Sequence, residues 1–215
     1  MRNAPFKRFC DHLAQHLHMT PVQGLRAWGL LAVLLWLPGV GGTLKHSMLT
    51  HMGVQVSLLA VAGHGLGRAW LAHHPEHVQA VRPYRWALLL MAVFTLMVWM
   101  VPRLLDLAVE QPEIDLIKAL SLVLCAGLPL AWAWPQLPAV AQGVLHLEAL
   151  ATLWRMGWLY LDSPSRLCVR YGLADQHSLG RGLMAAGAVY ALWLAWTVLR
   201  GQTVPIPMNV AETHP

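Results

Sequence analysis

Apolar runs of bilayer length recur along almost the whole chain, at about 25–44, 47–66, 84–102, 117–134, 138–160 and 179–199. A helical span needs roughly 20 mainly apolar residues, so about six crossings are expected. The run at 138–160 is the most polar, because it contains His146, Glu148 and Arg155. In lipid, backbone polar groups find no water, and only helices or closed barrels satisfy them internally. These runs are too long, and alternate too little, for barrel strands. The expected fold class is therefore all-α, a polytopic transmembrane helical bundle. Composition agrees, with only 12% charged residues against about 25% in soluble domains.

Three regions follow: an N-terminal segment 1–24, a helical bundle 25–200 and a tail 201–215. The first segment is polar and basic and lacks the apolar core and small-residue cleavage site of a signal peptide. The first span is then the expected insertion signal. Arg2, Lys7, Arg8 and Arg26 precede that span, Arg68, Arg82 and Arg85 lie between the second and third, and Arg200 follows the last. With about six spans these fall on one side, and the positive-inside rule places both termini in the cytoplasm. The opposite side receives Asp106, Glu110, Glu113 and Asp115 as an acidic loop at 103–116. The net charge of +5 is scattered over loops beside spans, so it points to membrane lipid and not to nucleic acid. Cys10, Cys125 and Cys168 show no CxxC spacing, which leaves no zinc ribbon or disulfide framework to argue for.

Histidines inside a bilayer segment are costly, and by default they mark a metal, haem, proton or ion site. The stretch from Lys45 to Gly67 carries His46, His51 and His64. On a helix, Met48, His51, Met52 and Gln55 share one face. Thioether and imidazole together suit copper, above all the reduced ion. The expected topology brings His46, Met48, His51 and Met52 to the outer side with Asp175 and His177 from the last span. Asp175 reads equally as the cap of that helix. His64 and His146 collect in the inner half. His51 and His64 lie 13 positions apart, about 20 Å along a helix. That spacing resembles di-haem b-type cytochromes, with His146 and His177 as opposing axial ligands. Gly63, Gly65 and Gly67 either admit a macrocycle or let helices approach closely. A b-haem electron-transfer anchor is thus the alternative to copper, and a structural bundle without ligands is a third reading.

Other polar features are plainer. Glu148, Thr152 and Arg155 share a face of the fifth span, either as a proton path or as a polar stripe against a neighbouring helix. His12 and His16, four apart, would chelate a metal on a helix, or with His18 they are chance members of an amphipathic cytoplasmic lead-in. His73, His74 and His77, beside Pro75 and Pro83, read as a solvated loop with adventitious metal contact. PQLP at 135–138 is a tight turn, and DSPSR at 162–166 is a loop. No nucleophile elbow, P-loop, dinucleotide glycine motif or HExxH occurs, so hydrolase and nucleotide-dependent chemistry have no support.

Three stretches together resemble the CtaG-type cytochrome c oxidase assembly factors, multi-span bacterial membrane proteins linked to copper delivery. THMGVQVSLLAVA (50–62) is similar to the family's His-Met-x-x-His segment and the apolar run after it. AGLPLAWAWPQL (126–137) resembles its glycine-then-tryptophan-proline helix end. The stretch 159–184, from LYLDSP to YGLADQHSLGRGLM, is similar to its closing segment, in which Asp-Gln opens a helix. Gln55 stands where the family segment has its second histidine, and the chain is shorter than most members by about one span. The resemblance carries His51, Met52, Asp175 and Gln176 over to this chain. It implies a chaperone in the bacterial inner membrane, not a catalyst. His51 and Met52, helped by His46, Met48 and His177, would pass copper to a respiratory oxidase or another membrane redox complex.

Overall fold

The computed structural model describes residues 21–168 and 170–200, so His12, His16, His18 and the tail 201–215 lie outside the described residues. All regular structure among them is helical. Helix α1 (Pro21–Trp36) is followed by the short α2 (Pro38–Leu44). A π-helical segment, Leu49–Gln55, runs without a break into α3 (Val56–His73). Next come α4 (His77–Val81), a 3-10 turn (Arg82–Tyr84), α5 (Arg85–Trp99) and α6 (Pro102–Glu110). Helix α7 (Pro112–Ser121) continues through a second π-helical segment, Leu122–Gly127, into α8 (Leu128–Ala133) and a 3-10 turn (Trp134–Gln136). Two long helices, α9 (Ala139–Asp162) and α10 (Leu173–Leu199), close the chain.

Three stretches are long and apolar enough to cross a membrane: His77–Trp99, Pro112–Gln136 and Leu173–Leu199. The other expected spans depart from a simple apolar rod for identifiable reasons. Pro38 holds Leu37 in an extended conformation (ψ 140°), which divides the run 25–44 into α1 and α2. In α9 and in the Leu49–His73 stretch, the histidines, Glu148, Arg68 and Arg155 dilute the apolar run. The acidic stretch 103–116, expected as a loop, is mostly helix. Pro102 and Pro112 each sit in a first turn, where a missing amide costs nothing, and Leu105 and Ala108 bury one face of α6. The stretch after Arg68 is likewise helical as far as His73, with α4 beyond it. The turn at PQLP and the loop after Asp162 are where expected.

Helix α3 is central and packs against α1, the Leu122–Gly127 segment and α8, while α9 and α10 form a hairpin that meets the bundle at Leu49–Gln55. The crossing of α3 with the second π-helical segment depends on glycine. A methyl at Gly63 would run into the Val123 carbonyl, and one at Gly127 into that of Ala60. Gly65 faces the Trp28 ring in the same way. Of the two roles expected for these glycines, the fold uses close helix approach. The π-helical turn has its own cause nearby. Pro129 has no amide to offer the Cys125 carbonyl four residues back, and the Thr95 hydroxyl on α5 reaches that oxygen at 3.5 Å.

Contacts gather at opposite ends of the bundle. At one end Lys45 meets Asp115, Trp99 donates to Ser121 and Tyr171 meets His51. At the other, Trp132 donates to the Gly67 carbonyl, Gln136 to that of Val78, and His146 meets Tyr190. Gly127→Val is expected to cost about 1–3 kcal/mol by overpacking this crossing. Gly143→Ala, whose methyl meets nothing within 4 Å, is expected to be neutral or slightly stabilising. Thermal unfolding of both variants in detergent distinguishes them.

Candidate functional site

The most unusual side chain in the bundle is Lys118, which is fully buried (0% exposed). It lies one turn after Asp115 on α7, so the pair shares a helical face. The Lys118 ammonium is 2.8 Å from Asp115 Oδ1, and Lys45 reaches Oδ2 of the same carboxylate at 2.7 Å. One buried carboxylate thus stands between two ammonium groups. Lys118 also donates to His51 Nε2 at 2.8 Å and to Gln55 Oε1 at 3.3 Å. The π-helical turn at Leu49–Gln55 presents both of these side chains to one ammonium. Its wider ring is closed by the Val56 amide donating to the His51 carbonyl, five residues back.

These contacts assign the His51 tautomer from its partners. Nε2 accepts from an ammonium, so Nδ1 carries the proton and faces the Tyr171 hydroxyl at 3.1 Å. Tyr171 in turn donates to the Lys45 carbonyl at 3.0 Å. The chain of donors therefore runs from Lys118 through His51 and Tyr171 to a backbone oxygen. A carbonyl cannot pass a proton on, so this end is a clamp and not a conduit. Gln55 completes the clamp by donating to the Leu35 carbonyl at 2.9 Å. Together these bonds tie α1, the residues after α2, the π-helical turn, α7 and the loop 163–172.

A second group lies beside the clamp. Met52 is buried, and its sulfur faces the Tyr160 hydroxyl at 3.9 Å. Met52, Met100 and Met156 line one apolar cavity of about 60 Å³, with Tyr160 and Leu179 also on its wall. Gln176 organises the loop that covers this end. Its Oε1 accepts from the Leu167 amide at 2.9 Å, and its Nε2 donates to the Tyr160 carbonyl at 3.3 Å. In the same loop, burial and then the nearby Asp106 charge push the Cys168 thiol up to about 12.

The sequence-derived candidates are distributed as follows. His51, Met48 and Met52 are buried together at the clamp end. Met52 faces the methionine-lined cavity, while both His51 nitrogens are engaged by protein. His46 is exposed. Asp175 is the third residue of α10, whose cap is Gly172, and both Asp175 and His177 are half-buried. His46, His51, Asp175 and His177 do not converge; among the described residues, the histidine–carboxylate group that does is His74, Glu76 and His77. His64 is half-buried on α3, and a methyl at Gly127 would stand 2.6 Å from its backbone nitrogen. His146 packs among Trp134, Tyr190 and Trp193. The slots beside Gly63 and Gly65, considered for a macrocycle, are filled by backbone and by Trp28. Glu148 and Arg155 pair directly on an exposed face, with Thr152 bonded to the same carboxylate oxygen.

Sequence reasoning missed Lys118, Lys45, Tyr160 and Tyr171. Lys118 carried a readable signal, because a lysine inside an apolar run marks a site by default. In comparisons with known proteins, no family model matches the chain, and neither a curated protein nor a solved structure matches it.

Two expectations follow. Lys118→Met leaves a buried carboxylate with one cation fewer and is expected to cost about 3–5 kcal/mol, whereas Asp115→Asn added to it should restore much of the loss. A double-mutant cycle of unfolding free energies measures this. For Cys168, the folded thiol titrates at about 12 and the unfolded one at about 9.0. The stability it contributes is present below pH 9 and is lost as pH rises towards 12. Alkylation at pH 8 should therefore be slow in the folded protein and fast after unfolding.

Proposed function

We propose that this chain is a multi-pass protein of the bacterial inner membrane that holds reduced copper near the outer face for transfer to a respiratory oxidase. In this reading the chain crosses about six times, with both termini in the cytoplasm. The alternation of contacts between the two ends of the bundle supports that path. The clamp end, with Met52, Met100 and Met156, then faces outward.

The observation that carries the reading is the shared cavity of Met52, Met100 and Met156. Thioethers are soft ligands that select the reduced ion. The cavity is small and apolar. The two outer stretches that resemble the assembly factors also meet here. Met52 comes from the first of them and Tyr160 from the closing one, where they touch, and His51 meets Tyr171 of that closing stretch. Copper is cargo in this scheme. Met52 and Met156 hold it, and Met100, which is 40% exposed, offers the thioether through which ligand exchange with a partner begins.

The role of His51 changes accordingly. A metal at its Nε2 would have to displace the Lys118 ammonium, and a cation beside two lysines is repelled. His51 therefore positions Met52 through the clamp and is not itself a ligand. Gln55 belongs to the same clamp, so its place at the family's second histidine position is structural.

Cu(I) titration of the detergent-purified protein against a chromogenic chelator is the test. The wild type should bind about one equivalent. Met52→Leu and Met156→Leu should each weaken binding by at least about tenfold, and His146→Ala should leave it unchanged. Equal Cu(I) binding by the wild type and the Met52/Met156 double variant would overturn the proposal.

A further inference from the structure

The end of the bundle away from the clamp holds a second cluster, in which His74, Glu76 and His77 each present one ligand atom within 4.8 Å of the others. We propose that these three side chains form a divalent-cation site of the zinc class, distinct from the copper site proposed above. Helix α3 separates the two ends, and its 18 residues span about 27 Å.

The distances carry the argument. Glu76 Oε1 is 3.2 Å from His74 Nδ1 and 3.2 Å from His77 Nδ1. A tetrahedral zinc ion with bonds of about 2.0–2.1 Å sets neighbouring ligand atoms roughly 3.3–3.4 Å apart. The two edges that meet at Glu76 are thus already close to their final lengths. Two imidazoles and one carboxylate are also a ligand set that zinc uses when a fourth position stays open to water. In the metal-free form the His74 imidazole hydrogen-bonds to Glu76, and the His77 ring lies beside the same oxygen. On binding, each neutral ring takes the tautomer with its proton on Nε2, which leaves the Nδ1 lone pair for the ion.

The backbone and an aromatic wall hold the cluster in shape. His74 caps the end of α3 and donates its amide to the Trp70 carbonyl at 2.9 Å, while His77, the first residue of α4, donates its amide to the His74 carbonyl at 3.1 Å. Pro75 lies inside the turn between them. The Trp70 ring centre is 5.0 Å from both the His74 and the His77 rings. Trp70 itself stands against Trp132, also at 5.0 Å, and the Trp132 indole donates to the Gly67 carbonyl. Both imidazoles therefore rest on a fixed surface, whereas Glu76 is solvent-facing and free to close over the ion. A chance grouping of surface histidines has no such backing.

This site faces the solvent on the side where the basic loop residues lie, so it would bind zinc from that compartment. Its position between α3 and α4 would couple ion binding to the entry of α5 into the bundle.

Zn²⁺ titration of the full-length protein in detergent by calorimetry, with Co²⁺ as a spectroscopic stand-in, tests the proposal. One equivalent should be lost, or weakened by at least about tenfold, in Glu76→Gln and in His77→Ala. It should persist in His73→Ala and in Met52→Leu. Bound Co²⁺ should show the intense visible bands of tetrahedral coordination and should quench the fluorescence that Trp70→Phe removes. His73, Glu76 and His77 are exposed, so unchanged thermal unfolding of their variants without metal serves as the folding control. An unchanged Zn²⁺ isotherm in Glu76→Gln and His77→Ala, or an octahedral Co²⁺ spectrum, would overturn it. Loss of Cu(I) binding in Met52→Leu with Zn²⁺ binding intact separates the two sites.

Discussion

A buried carboxylate between two ammonium groups organises this bundle. Burying a charge is costly unless it is paired and hydrogen-bonded, and Lys118 meets both conditions only when several segments converge. Asp115 supplies the counter-charge from its own helix, Lys45 arrives from the end of α2, and His51 and Gln55 arrive from the π-helical turn. The requirement to satisfy one ammonium thereby fixes how α7 sits against the start of α3. His51 and Gln55, both within the π-helical turn, share that donor. Through Tyr171 the same network reaches the loop before α10.

Close helix approach is the second constraint, and it is independent of the first. Gly63 and Gly127 let the backbones of α3 and of the second π-helical segment touch. In lipid, where apolar side chains gain little by meeting each other, such contacts and buried hydrogen bonds supply the specificity of packing. The Thr95 hydroxyl near the Cys125 carbonyl shows the same economy, since an acceptor freed by Pro129 finds a donor on the neighbouring helix. The crossing lies between the clamp and the His74–Glu76–His77 cluster, so α3 acts as a rigid strut with a polar centre at each end.

Much of the candidate site was readable one residue at a time, but its partnerships were not. The Met48, His51, Met52 and Gln55 face is indeed the buried face of its segment, apart from the π-helical winding that the spacing of polar residues did not reveal. Met52 lines an apolar cavity with Met100 and Met156. His51 did not keep a free nitrogen, because its partners come from residues 67 and 120 positions away in the chain. Asp115 was visible only as a loop charge. Its meaning depends on Lys45 and Lys118, and an acidic residue at the edge of an apolar run reads the same whether it is solvated or buried. The stretches 68–85 and 103–116 looked like loops because they are polar and rich in proline, yet proline at a first turn starts a helix.

By itself the sequence determined that the chain is helical and membrane-compatible, because the length and apolarity of its runs leave the backbone no other way to satisfy its polar groups in lipid. It also determined the turn at PQLP and the loop after Asp162. Tertiary structure alone decided which polar residues are partners. An ammonium, an imidazole or a thioether has a chemistry fixed by its residue type, but its role depends on what stands within about 3 Å of it, and those neighbours come from distant parts of the chain.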